Sequence, residues 1–460
     1  MQKIISLALA AVLITTPVIP KKVQNSKQSI SKESTVEKVN SFDYVEAFTT
    51  GISTKQFTVK QIQEQVKNFG KFDSSKGMSF TNFKIAMNQE WEDVTEKGKA
   101  SKVTVDIATQ FDYKKITDTM KQLSKYDGVM LIKFGHTAQS RDMLSLEIDR
   151  TKGKDVKTII LTGNIHAREG AGTPFILKEL ADLLSSATED TILQKYLEHF
   201  RIVAVPCVNP DGRDGLIYDQ AKYTASNGSL WKAYINGTDG NRNFPGVSWG
   251  QIVKGNQKKS IIASKPDGLY YPGDSAGSCS ETRAMMKLLY HYIIREQAVC
   301  LIDYHQQGRI AYAGKPWQTS KQEKRCEGLA NYMLGVLNKG NKIKYVWVAE
   351  EPSYGLSGEG STLTDFACSL ATGAKFSPAY GFCVYTDNKS EYPLIMTIDL
   401  EKKENKFVEA NSKFATMTFE IGAGSSYLGF SNSTRKQLKT EYSTYHFDQV
   451  LPKLFEYYSK

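Results

Sequence analysis

The 460-residue sequence predicts an α/β fold, with a mixed, mainly parallel central sheet flanked by helices and a small N-terminal α+β segment. Three observations point there. Short apolar runs of strand length recur, such as KTIILTG (157–163), FRIVAVPCVNP (200–210) and AVCLIDYH (298–305), as strands buried on both faces would. Longer segments with helically spaced apolar residues alternate with them, such as TPFILKELADLLSSA (173–187). Polar clusters follow the apolar runs directly: His166 and Glu169, Asn209-Pro210-Asp211-Gly212, and His305. In open α/β sheets, sites form beyond the carboxyl ends of the strands.

The elements follow in order. MQKIISLALAAVLITTPVIPKK (1–22) has Lys3 before an apolar stretch and reads as an export signal. A small-x-small cleavage site is missing from its end, so contact with a membrane is expected only if the stretch stays uncleaved. Residues 23–40 are polar and lysine-rich and read as a flexible leader. Residues 41–108, with FTVKQIQEQV and SKVTVDIA, form an N-terminal accessory or pro-segment. The main domain spans 109–460. FDYKKITDTMKQLSKY (111–126) reads as helix; VMLIKFG (129–135) and LSLEID (144–149) read as strands. ETRAMMKLLYHYIIRE (281–296) and KRCEGLANYMLGVLNKG (324–340) read as helices, the second stopped by Gly340. ATMTFEIGAG (415–424) is a late strand, and 433–460 is mixed and ends in helix.

Charge and cysteines narrow the function. The net charge of +10 comes from scattered lysines and arginines. No aromatic-interleaved basic run or zinc-finger spacing accompanies it, so nucleic acid is excluded as a partner. A basic surface also suits an anionic cell-wall polymer. None of the six cysteines forms a CxxC pair, which argues against a cysteine zinc site. Cys207 and Cys300 lie in apolar strand-like runs and read as buried small hydrophobes; pairing among the others cannot be read from sequence.

An HxxE alone is weak, since Glu169 could equally cap the next helix. Adding His305 completes two histidines and a carboxylate, a set that leaves a fourth position on zinc for water. With these motifs in view, the stretch from about Tyr113 onward resembles the zinc carboxypeptidase family. GNIHAREG resembles its first ligand motif, CLIDYHQQG its second, MTFEIG its general-base strand and GTDGNRNFP its NRNF segment, in the family's order.

The resemblance implies one zinc ion per chain on His166, Glu169 and His305, with Glu420 as general base. It implies that Asn241 and Arg242 bind the terminal carboxylate of a peptide substrate, that Arg168 contacts substrate farther along, and that Asp239 orients His166. Lys232 stands where animal members carry an oxyanion-stabilising arginine. Tyr354, in SYGLSGEGSTLTDF, matches a mobile tyrosine, with Tyr380 and Tyr385 as nearby competitors. Thr364 stands where a basic-residue carboxypeptidase would carry an acid, and Glu359 is a candidate partner for a substrate amine. The short LWKAYINGTDGNRNFP spacing resembles the bacterial branch that cleaves cell-wall peptides, the γ-D-glutamyl-diaminopimelate peptidases. The expectation is therefore a secreted or cell-envelope metallopeptidase acting on peptidoglycan stem peptides, with a general carboxypeptidase for nutrient peptides or an inactive wall-peptide binding protein as alternatives.

Overall fold

The computed structural model describes residues 91–153, 155–225, 227–244, 263, 265–273, 277–314, 320–348, 362–371, 376–377, 382–383, 411–422 and 432–460. The expected signal, the leader, residues 41–90, and Glu359, Tyr354, Tyr380 and Tyr385 lie outside the described residues.

A nine-stranded sheet organises the fold. Its strands are β1 (Glu92–Asp93), β2 (Val129–His136), β3 (Asp142–Ile148), β4 (Lys157–Gly163), β5 (Phe200–Val205), β6 (Cys300–His305), β7 (Ile310–Ala313), β8 (Val346–Val348) and β11 (Ala415–Glu420). A separate two-stranded ribbon pairs β9 (Phe376–Ser377) with β10 (Phe382–Cys383). The order in the sheet is β1-β2-β3-β5-β4-β6-β11-β7-β8. At its centre β5, β4, β6 and β11 run parallel. Antiparallel pairings join β1, β2, β3 and β5 on one side and β11 to β7 on the other. The mixed sheet thus has its parallel strands where the apolar runs predicted them, and every residue of β6 is buried.

Side chains alternate between two cores. Ile159, Leu161, Ile302, Tyr304, Met417 and Phe419 face one side. There they meet α1 (Tyr113–Leu123), α2 (Gly172–Ser186), α6 (Ser320–Leu337) and the terminal α9 (Val450–Ser459). Ile160, Val203 and Leu301 face the other side, against α5 (Ser280–Tyr290) and α7 (Leu363–Ala371). Residues 91–108 join the first core through Val103, Val105 and Ile107, while β1 extends the sheet.

Several elements differ from the expected pattern. The Asn209-Pro210-Asp211-Gly212 turn opens α4 (Pro210–Tyr218): Asn209 Oδ1 accepts from Gly212 N at 2.9 Å and Pro210 occupies the first turn. Two glycines and a weak apolar pattern hide this helix. Asp190 caps a short α3 (Thr191–Leu197). The helix expected over 281–296 changes to a π-helical turn at His291–Arg295. The C-terminal segment contains α8 (Asn432–Thr444) before α9.

Candidate active site

Three adjacent strand ends build the site. β4 ends at Gly163 and the chain crosses to α2 carrying His166 and Glu169. Asn164 turns that loop: it takes φ 54°, a conformation asparagine tolerates, and its Nδ2 donates to His166 O at 2.6 Å. Gly172 lets the loop pass against β6, since a Cβ there would meet Tyr304 Cβ at 2.7 Å. His305 ends β6 and Glu420 ends β11, paired in parallel register.

The three expected metal ligands converge. One ligand atom from each of His166, Glu169 and His305 lies within 4.8 Å of the others. Glu169 sits between the histidines, with Oε1 2.9 Å from His166 Nδ1 and Oε2 2.9 Å from His305 Nδ1. Both imidazoles therefore turn Nδ1 inward and Nε2 outward. His166 Nε2 meets Asp239 Oδ1 at 3.1 Å and His305 Nε2 meets Asp303 Oδ2 at 2.8 Å. Carboxylates behind metal-binding histidines fix the tautomer and raise ligand basicity. His166 Nδ1 is buried and, beyond its close approach to Glu169 Oε1, has no hydrogen-bond partner among the described residues. A buried lone pair facing a carboxylate and a second imidazole nitrogen suits a zinc ion, so the residues fit the metal.

Asp239 links this centre to its surroundings. Its Oδ2 accepts from Lys232 Nζ at 2.7 Å, and its Oδ1 accepts from Asn241 N at 3.0 Å. Burial alone would raise its pKa, but the Lys232 and His166 charges hold the carboxyl well below the usual range. Lys232, expected to face an oxyanion, is itself buried, with its ammonium on Asp239 and 4.6 Å from the centroid of the Tyr270 ring. Its charge thus acts through Asp239 on His166.

Arg242 is fully buried; its Nη1 donates to Asn241 O at 2.7 Å, and its Nη2 has no partner among the described residues. Asn241 Oδ1 accepts from Leu363 N at 2.9 Å, tying the Asn241–Arg242 turn to the start of α7. Arg168 is buried, with Nη1 donating to Leu230 O at 3.3 Å. Thr364 is buried in the first turn of α7.

Glu420 is half-buried, and its Oε2 is enclosed without a partner among the described residues. Burial, with the Glu169 and Asp303 carboxylates adding, pushes its pKa up to about 8 against the opposing His305 and Lys232 charges. Two functional residues escaped the sequence reading. Asp303 orients His305, and Thr162 Oγ1 donates to Asp303 Oδ1 at 2.7 Å. The available signal was a charged residue inside the apolar strand, two positions before His305 and so on the same face.

A family model described as zinc carboxypeptidase matches residues 116–418. Carboxypeptidase B of Helicoverpa zea is 29% identical over 182 residues, covering 37% of this chain and 38% of its own. Inactive metallocarboxypeptidase ecm14 of Schizosaccharomyces pombe is 27% identical over 187 residues, covering 38% of this chain and 35% of its own. The chain thus spans less than two fifths of the length of these relatives. Among solved structures, thrombin activatable fibrinolysis inhibitor shares the fold, with a TM-score of 0.50 and 16% identity over 75% of each chain.

Proposed function

The chain belongs to the zinc carboxypeptidase family, and on that premise we propose that it is an active, exported metallopeptidase. It hydrolyses a peptide bond close to a substrate carboxylate, and its substrates are the stem peptides of bacterial cell walls. The observation that carries the activity is the Oε2 of Glu420, enclosed and without a partner among the described residues, beside the His166–Glu169–His305 cluster. An enclosed carboxylate oxygen is costly unless it is paired or used.

His166, Glu169 and His305 would hold a zinc ion, which would supply polarisation of the scissile carbonyl and acidification of water. Glu420 takes a proton from the attacking water and returns it to the leaving amine. Arg242 directs its Nη2 donors, unpartnered among the described residues, to the substrate carboxylate, with Asn241 beside it. Arg168 holds the substrate farther along. Asp239 and Asp303 keep both imidazoles oriented, and Lys232 secures Asp239.

The cell-wall substrate rests on the spacing from Trp231-Lys232-Ala233 to Asn241-Arg242-Asn243-Phe244, and export rests on the apolar N-terminus. Incubation with defined stem peptides and with ordinary C-terminal peptides, read by mass spectrometry, tests it. Cleavage of the stem peptides is expected; trimming of ordinary peptides alone would make it a general carboxypeptidase. The inactive relative favours a second reading, a peptide-binding protein that holds zinc without turnover. Zinc content with no hydrolysis of either set would establish that reading.

A further inference from the structure

Two fully buried thiols outside the catalytic site come together at one edge of β11. Cys326, in α6, and Cys368, in α7, place their sulfurs 3.9 Å apart although 42 positions separate them in sequence. Both surround Thr416: its backbone N donates to Cys326 Sγ at 3.3 Å, and its Oγ1 lies 3.1 Å from Cys368 Sγ. Gly314, just past the end of β7, leaves the space they occupy, since a Cβ there would lie 2.9 Å from Cys368 Sγ and 1.7 Å from Thr416 Oγ1. The helices belong to opposite layers: Ala330 and Met333 of α6 pack in the first core, Phe366 and Leu370 of α7 in the second.

We propose that Cys326 and Cys368 are a disulfide-forming pair, a covalent link between the two helix layers around the strand that carries Glu420. At 3.9 Å the sulfurs are in van der Waals contact, and the bond would draw them to about 2.0 Å. The bond closes the chain segment containing Tyr354 and the start of α7, whose Leu363 N holds Asn241. The co-reactant is a low-molecular-weight disulfide. One cysteine thiolate attacks it, forming a mixed disulfide and expelling one thiolate. The second cysteine thiolate then attacks the protein sulfur and expels the other. The two cysteines lose two electrons and two protons, and the small disulfide leaves as two thiols. Because both sulfurs are enclosed in the folded chain, the exchange belongs to folding, before α6 and α7 close over Thr416. The pairing is independent of the enzymatic reading.

The full chain is refolded in a mixture of oxidised and reduced glutathione, then denatured in N-ethylmaleimide without reductant, digested and analysed by mass spectrometry. The same readout on chain exported to the periplasm of an expression host provides a second preparation. The expected product is one cross-linked peptide joining Cys326 to Cys368, split by reduction, with Cys207, Cys279, Cys300 and Cys383 alkylated. Reduction should also lower the melting temperature of the wild type but not of C368S. Full alkylation of Cys326 and Cys368 in both preparations, or a bond from either to a different cysteine, would overturn the pairing.

Discussion

Glu420 divides structure from chemistry at the scale of single residues. Glu420→Gln keeps the shape of the strand end but removes the proposed base. It should lower kcat by roughly 10²–10⁴ while zinc content, measured by elemental analysis, stays that of the wild type. Asp303 tests the support behind the metal. Asp303→Asn loses the charge facing His305 Nε2 and should weaken zinc binding by roughly 10–100-fold, read by competition with a chromogenic chelator; an unchanged affinity would assign Asp303 to packing alone. The clustering of His166, Glu169 and His305 was legible because each motif follows an apolar run closely in sequence. Asp303 was not, since a carboxylate in a strand shows its purpose only when its neighbour's ring orientation is known. Lys232 was legible as a cation, but its partner, seven residues away in Asp239, depends on how the intervening loop folds.

Elements bring these residues to one place, and the ends of β6 and β11 are fastened from outside the sheet. Gly308 N and Arg309 N both donate to Gly422 O, at 2.8 and 2.9 Å. Arg309 then forks onto Glu441 of α8, with Nε at 2.9 Å from Oε1 and Nη2 at 2.6 Å from Oε2, and Tyr345 Oη donates to the same carboxylate at 2.8 Å. Glu441→Ala leaves a partly buried guanidinium unpaired and should destabilise the fold by roughly 2–3 kcal/mol in denaturant unfolding. A change within the scatter of surface substitutions would show that α8 does not hold these strand ends. The central strands and long helices were readable from periodicity alone. β7, β8, α3 and α4 were not: they are short, and α4 carries two internal glycines, so capping and tertiary contacts decide them rather than pattern.

Taken whole, the molecule buries titratable groups that set its stability against pH. Glu179 in α2 is enclosed in the first helix layer, accepting from Tyr304 Oη at 2.9 Å with its Oε2 unpartnered among the described residues. Burial, with Asp448 and Asp182 nearby, pushes its pKa well above the usual carboxylate range despite that hydrogen bond. Above the ordinary carboxylate pKa the unfolded chain loses this proton while the folded chain keeps it. Stability therefore falls as pH rises through that window, by about 1.4 kcal/mol for each pH unit. Glu179→Gln removes the effect: the variant should melt higher than wild type at pH 8 and nearly equal to it at pH 4, and equal melting at both would contradict the assignment. The chain's central claim is that folding gathers His166, Glu169 and His305 around one zinc ion. X-ray diffraction of zinc-loaded crystals on both sides of the zinc absorption edge tests it most directly. The prediction is an anomalous peak about 2.0–2.2 Å from His166 Nδ1, His305 Nδ1 and a Glu169 oxygen; no peak there, or one bound through either Nε2, would contradict it.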